Sequence, residues 1–153
     1  MVDIAAAPFD GSDGRALNDA YFSELRARFP PGYDPDAGMP TLTDDLTPPK
    51  GIFFVVRDED AAIACGALKV LDATTGEVKH MFVHPSHRGR GLGRQILAAV
   101  EDHARGLGMT RVVLDTNECL TEAVTMYERS NYVSIEPYNE NEWATHWFSK
   151  DLG

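Results

Sequence analysis

The stretch His87-Arg88-Gly89-Arg90-Gly91-Leu92-Gly93-Arg94 decides how the rest of this chain is read. It places three glycines and three arginines within eight residues. The segment before it, EVKHMFV at 77–83, is apolar and β-branched enough to be a strand, and His84-Pro85 ends it. After it, Ile96, Leu97, Val100, Ala104 and Leu107 recur at helical spacing, and Gly106 and Gly108 mark the helix end. A glycine-rich turn that enters a helix presents unpartnered backbone N–H groups at the positive end of the helix dipole. Glycines let a ligand approach the main chain closely, and the arginines add full charge. The loop therefore predicts a site for a pyrophosphate-like anion.

Outward from the loop, the chain reads as mixed α/β. Val2 to Ala7 is a first strand, and Ser12 or Asp13 is placed to cap a helix carrying Leu17, Tyr21, Leu25 and Phe29. Pro30 to Pro49 reads as a long proline-rich loop with room for one short helix, and a loop of this length inside a domain is more often functional than idle. Ile52 to Arg57, Ala62 to Leu71 and Glu77 to Val83 read as an antiparallel meander. Beyond the glycine-rich loop and its helix come a short buried strand at Arg111 to Leu114 and a helix from Thr121 to Arg129. Asn131 is suited to a left-handed turn, and closing strands are expected at Tyr132 to Ile135 and Trp143 to Lys150. No repeat or change of composition divides the chain, so 1–153 reads as one domain.

Three kinds of nucleotide-binding loop are candidates. A P-loop needs Lys and Ser/Thr after its last glycine, and Gly93 is followed by Arg94-Gln95. A dinucleotide fingerprint needs a third glycine where Arg94 stands, and it follows the first strand of a βαβ unit rather than a meander, although Asp115 lies downstream where that motif wants an acid. The third pattern fits. Arg88-x-x-Gly91-x-Gly93, with EVKHMFVHP before it and RVVLDTN, EAVTMYERSNY and PYNENEWATHWFSKDL after it, resembles the GNAT superfamily of N-acetyltransferases over nearly the whole length.

That resemblance implies a central, mostly antiparallel sheet whose fourth and fifth strands splay apart, flanked by helices. It implies acetyl-CoA as co-substrate and no metal. The pyrophosphate falls to Arg88, Gly89, Arg90, Gly91, Leu92, Gly93 and Arg94, and the pantetheine and thioester to the backbone at Met81, Phe82 and Val83. Tyr127 matches the family's general acid. Glu77 matches a glutamate that acts as base directly or through water; a surface carboxylate is an equal reading. His80 is a weaker candidate base. Leu120 stands where relatives often carry Asn or Gln against the cofactor, so either one polar contact is missing or Asn117 replaces it. The reaction implied is direct attack of an amine on the thioester through a tetrahedral intermediate, with a small-molecule amine as acceptor. Acetylation of a protein or peptide, and a non-catalytic CoA-binding module, are the alternatives.

Bulk properties agree with this. Hydrophobic residues are 43% and charged residues 25% of 153, an ordinary globular composition. The net charge of −10 disfavours nucleic acid and anionic membranes as partners. The first fifty residues hold nine Asp/Glu against four Lys/Arg, which suits a cationic acceptor. With no basic leader and no long apolar run, a cytoplasmic location is expected. Cys65 and Cys119 form no CxxC pair; Cys65 lies in an apolar stretch, and Cys119 has no histidine near it in sequence to make it a nucleophile. A homodimer is compatible with the resemblance.

Overall fold

A computed structural model describes residues 2–34 and 41–153. Pro35 to Pro40, the middle of the expected long loop, lie outside the described residues. The elements in chain order are β1 (Val2–Ala6), α1 (Ser12–Arg28), a 3-10 turn (Thr43–Leu46), β2 (Gly51–Asp58), β3 (Ala61–Val70), β4 (Thr75–Val83), a second 3-10 turn (Pro85–His87), α2 (Leu92–Gly106), β5 (Arg111–Thr116), α3 (Thr121–Arg129), β6 (Val133–Ser134) and β7 (His146–Asp151). The strands form one mixed sheet in the order β1-β2-β3-β4-β5-β7-β6. Every pairing is antiparallel except β4 with β5.

Two apolar layers cover the sheet, because successive side chains of a strand point to opposite faces. On one face Ile52, Val56, Ala64 and Leu68 meet Ile96, Leu97, Val100 and Ala104 of α2. Those four α2 residues are at most 2% exposed, and burying each of the larger ones is worth about 1.5–3 kcal/mol. On the other face Phe53, Val55, Cys65, Ala67 and Phe82 pack with Phe9, Leu17 and Leu46. The expected core role of Cys65 is observed, and its Sγ contacts the His80 carbonyl oxygen at 3.2 Å.

Two local expectations are corrected. Gly11, not Ser12 or Asp13, is the N-cap of α1, and no side chain caps it. The Asp13 carboxylate is drawn away to the Arg57 guanidinium on β2. The last strand begins at His146 rather than Trp143; the residues before it form a polar loop that folds back over the sheet.

The feature that shapes the site lies in β4. His80 has φ +54°, a left-handed conformation rare for any residue but glycine. The register with β3 slips there, so that His80 and Met81 together face Gly66. One inserted residue reverses the facing of all that follow. Phe82 thereby joins the α1-side core, while Met81 and Val83 pack on the α2 side. On its other edge β4 pairs with β5 only from Thr75–Glu77 to Arg111–Val113, and beyond that the two strands diverge.

Gly66 is the partner that lets the bulge fit. A Cβ there would lie 2.4 Å from Ile96 Cγ2 and 2.6 Å from Met81 Sδ. Gly66→Ala is expected to cost about 1–3 kcal/mol by overpacking, read as a lower urea midpoint at unchanged m-value. An unchanged midpoint would show that the bulge does not depend on this close contact.

Candidate active site

Two cavities that share part of their walls lie where β4 diverges from β5. The first, of about 280 Å³, lies between β4, the glycine-rich loop, the start of α2, α3 and α1. Its walls include Met81, Phe82, Val83, Arg88, Gly89, Gly91, Leu92, Gly93 and Arg94, so nine of the residues expected to meet the cofactor come together here. Gly91 caps α2 at φ +75°, Gly89 is also left-handed at φ +82°, and no side chain caps the helix. The first-turn N–H groups of α2 are therefore left for a ligand. Gly93 sits where a Cβ would come within 2.9 Å of Met126 Sδ, so α3 and α2 approach closely at the cavity floor. These features fit a pyrophosphate bound end-on to α2.

The three arginines are not equivalent. Arg88 Nε donates to the Val83 carbonyl at 3.0 Å, and its guanidinium also pairs with Glu24 of α1. Arg90 points away to Asp58 at 3.2 Å and is not in the cavity wall. Arg94 lines the cavity and has no ion-pair partner among the described residues. From the same helix as Glu24, Arg28 reaches across to Glu122 of α3 and donates to the Cys119 carbonyl at 2.7 Å. The hydrogen bond from Arg28 holds the Glu122 carboxyl down at about 2 despite partial burial. Two ion-paired links thus tie α1 over the mouth of this cavity.

The second cavity, of about 420 Å³, lies on the other side of the divergence. It shares Tyr21, Leu25, Met81, Leu120 and Ala123 with the first, so these residues stand between the two. Glu77, His80, Asp115, Asn117 and Tyr127 line it, together with the aromatic side chains of Phe22, Phe29, Tyr33 and Trp143. Both proposed catalytic groups, Glu77 and Tyr127, therefore face one chamber.

Glu77 is 6% exposed, which rules out the reading of it as a surface carboxylate. Its Oε2 accepts a 2.6 Å hydrogen bond from the Tyr138 hydroxyl, and Lys79 Nζ stands 3.5 Å from Oε1. Tyr127 is 5% exposed, and its hydroxyl has no hydrogen-bond partner among the described residues. Burial first, and the Asp115 charge second, push its pKa well above that of an ordinary phenol, so it keeps its proton at neutral pH. His80 packs among the rings of Phe9, Tyr21 and Phe22, and its Nδ1 is buried without a partner. Burial, helped by Lys79, lowers it to about 3; it is neutral near pH 7 and too weakly basic to take a proton from an ammonium group.

Asn117 is placed differently from expectation. It lines the second cavity rather than the first, and both ends of its side chain are engaged, Nδ2 on the Trp143 carbonyl at 2.7 Å and Oδ1 on the Cys119 N–H at 2.9 Å. It pins the chain between β5 and α3 and is not presented to the first cavity, whose wall at that point is Leu120. Sequence reasoning missed Tyr138, Asn139 and Asn141, which the loop before β7 brings back onto Glu77 and Asp115. The only trace of them in the sequence is the density of amide and aromatic side chains in PYNENEW, residues 137–143. Cys119 is half-buried and its thiol pKa is raised by burial, which leaves it less reactive than an ordinary cysteine. Among the described residues there is no cluster of potential metal ligands, and no helix is long and apolar enough to cross a membrane.

Comparison with known proteins places this arrangement. Residues 19–132 match the acetyltransferase (GNAT) family. The chain is 34% identical over 149 residues to an uncharacterized N-acetyltransferase of Schizosaccharomyces pombe, covering 92% of this chain and 86% of that one. It is 32% identical over 94 residues to an IAA acetyltransferase of Azospirillum brasilense, where the match spans only 61% of either chain. Among solved structures, an acyl-CoA N-acyltransferase from Klebsiella pneumoniae superimposes with a TM-score of 0.81 at 25% identity, over 100% of this chain and 99% of that one. The yncA acetyltransferase of Salmonella typhimurium, solved with acetyl-CoA, has the same fold with a TM-score of 0.70 at 17% identity, over 100% and 95% of the two chains. With its glycine-rich anion loop, its diverging β4 and β5 and a family match over most of its length, the chain belongs to the GNAT family of acetyltransferases.

Proposed function

We propose that this protein transfers an acetyl group from acetyl-CoA to the amine of a small molecule. The observation that carries the reading is that the cavity at the α2 N-terminus and the chamber holding Glu77 and Tyr127 share wall residues, Met81, Leu120 and Ala123 among them. A donor thioester lying along β4 from the α2 N-terminus comes to those shared residues from one side, and an acceptor comes from the other. The relatives named IAA acetyltransferase and mycothiol acetyltransferase support a small acceptor over a peptide.

The chain's own groups then have separate tasks. Amides of the loop and first turn of α2, with Arg94, hold the pyrophosphate. The β5-facing edge of β4 past Glu77 has no strand partner, so its N–H groups are available to the pantetheine and to the oxygen that becomes negative when the carbonyl is attacked. Glu77 takes a proton from the ammonium, and the neutral nitrogen attacks the thioester carbon. As the carbon–sulfur bond breaks, the electron pair goes to sulfur and Tyr127 supplies its proton. Of the two protons the ammonium gives up, one leaves through Glu77 and the other ends on the CoA thiol, restoring the Tyr127 phenol. Tyr138 holds the Glu77 carboxylate in place for this step.

Four measurements test these roles. Thiol release from acetyl-CoA over a panel of amines, amino acids and lysine peptides should exceed the amine-free control for a small amine. Tyr127→Phe should lower kcat by about 10²-fold or more while acetyl-CoA affinity holds; an unchanged kcat removes the acid role. Transfer only to peptides would favour the protein-acetylating alternative, and acetyl-CoA binding without transfer would favour a CoA-binding module. Arg94→Ala should raise the KM for acetyl-CoA by about tenfold with little change in kcat, because a charge-assisted phosphate contact is lost from ground state and transition state alike; an unaltered KM would place the pyrophosphate elsewhere. Tyr138→Phe should reduce kcat by about tenfold in the native background and by nothing further in Glu77→Gln, since the hydrogen bond acts through Glu77. Additive losses would mean that Tyr138 only holds its loop closed.

A further inference from the structure

The acceptor chamber contains a carboxylate that nothing above uses. Asp115 stands at the end of β5 where it leaves β4, half-buried in the chamber wall. Asn139 Nδ2 donates to Oδ2 at 2.6 Å and Asn141 Nδ2 to Oδ1 at 3.2 Å. Asn139 is itself fixed by a 2.9 Å bond from Trp147 Nε1, and Asn141 by one from the Trp143 N–H at 3.1 Å. Both oxygens are thus aimed by a rigid polar frame, yet the frame is neutral. Among the described residues no Lys, Arg or His forms an ion pair with Asp115, whereas Lys79 answers Glu77 and Lys69 answers Asp45. Among the described residues of the chamber wall, Lys79 is paired with Glu77 and Lys69 with Asp45, so neither lysine is committed to Asp115.

A partly desolvated anion held only by amides calls for a counter-charge. The Tyr127 hydroxyl, on a side chain 95% withdrawn from solvent, lines the same chamber without a partner, and the Asp115 charge is felt by Tyr21, Tyr127 and Tyr138. In the same chamber wall, Phe29, Tyr33 and Trp143 pack edge to face with centroid spacings of 4.5 and 5.2 Å. Such a wall takes a flat apolar body, and rings beside an anion also favour a cation.

We infer that Asp115 is the docking anion for the acceptor, which enters as a primary ammonium on an aromatic or flat apolar body with no carboxylate beside the amine. This rests on the acetyl-transfer reading and deepens it. Asp115 holds the ammonium until Glu77 takes its proton. An α-carboxylate next to the amine is disfavoured because it would face Asp115 and Glu77 together, and like charges brought into a partly buried site repel strongly.

The probes are 2-phenylethylamine, L-phenylalanine, which adds a carboxylate, and 2-phenylethanol, which removes the charge. With the full chain, acetylation of 2-phenylethylamine should exceed that of L-phenylalanine by about tenfold or more in kcat/KM. Asp115→Asn should raise the KM for the amine by about tenfold or more and leave the KM for acetyl-CoA in place. An unaltered amine KM, or equal use of L-phenylalanine, overturns the proposal. If Asp115→Asn unfolds early in a thermal melt, the comparison of the three probes on the native protein decides alone. If no amine is acetylated while acetyl-CoA still binds, the catalytic reading fails separately. Calorimetry then tests the site, where binding of 2-phenylethylamine but not 2-phenylethanol sustains it and binding of neither overturns it.

Discussion

Strands β4 and β5 run parallel, but they share a ladder over three residues only, Thr75–Glu77 against Arg111–Val113. Both cavities of the candidate site lie where that short pairing ends. Where two strands part, backbone N–H and C=O groups lose their partners, and a buried sheet tolerates this only if something else satisfies them. The parting is enforced from the opposite edge of β4, where the His80 bulge bends the strand while its pairing with β3 continues through Cys65–Phe82 and Ala64–Val83. The strain of a left-handed His80 is offset by the packing it permits, with its ring among Phe9, Tyr21 and Phe22 and Phe82 turned into the α1-side core. The same bend sets Glu77 before the divergence and Met81 to Val83 after it, on opposite sides of one kink.

Much of this architecture is legible in the sequence, for reasons that are local. The period change at His84-Pro85, the glycines at 89, 91 and 93, and the 96/97/100/104 face of α2 are written in residue type alone. The meander appears in order because each hairpin carries its own turn residues. What is not legible depends on distant partners. Asp13 is as good a cap as any by type, and only Arg57, 44 residues on, takes its carboxylate away. A bulge at His80 has no signal, since histidine neither prefers nor forbids it strongly enough to be seen. The loop before β7 looks like the start of a strand because Trp143 is aromatic; its role becomes visible only when Tyr138 is found 2.6 Å from a carboxylate 61 residues earlier.

The basic loop also shows how an acidic protein keeps an anion site. Arg88 and Arg90 spend their charge on Glu24 and Asp58, which leaves Arg94 and the helix end as the uncommitted positive elements. Ion pairing does not remove Arg88 from consideration. A guanidinium bound to a carboxylate offers the same fork to a phosphate, so exchanging one oxyanion for another costs little and the side chain is already ordered. The exchange would release Glu24, and with it one of the two links that tie α1 across the cavity mouth. On the proposed function, donor binding would thereby be linked to the position of α1, which also contributes Tyr21 and Phe22 to the second cavity.

The chamber separates its titratable groups by environment rather than by type. His80 is driven to neutrality by burial and by Lys79. Tyr127, buried and close to a negative charge, keeps its proton at neutral pH. Of the two carboxylates, Glu77 is held by a phenol and lies near an ammonium, while Asp115 is held by two amides and pairs with no cation among the described residues. A carboxylate already balanced by Lys79 has little electrostatic reason to retain a second cation, whereas one that is fixed but unbalanced attracts one. On the proposed reading the two acids would divide capture from proton transfer, and the loop from Tyr138 to Asn141 would set that division because it supplies hydrogen-bond donors to both.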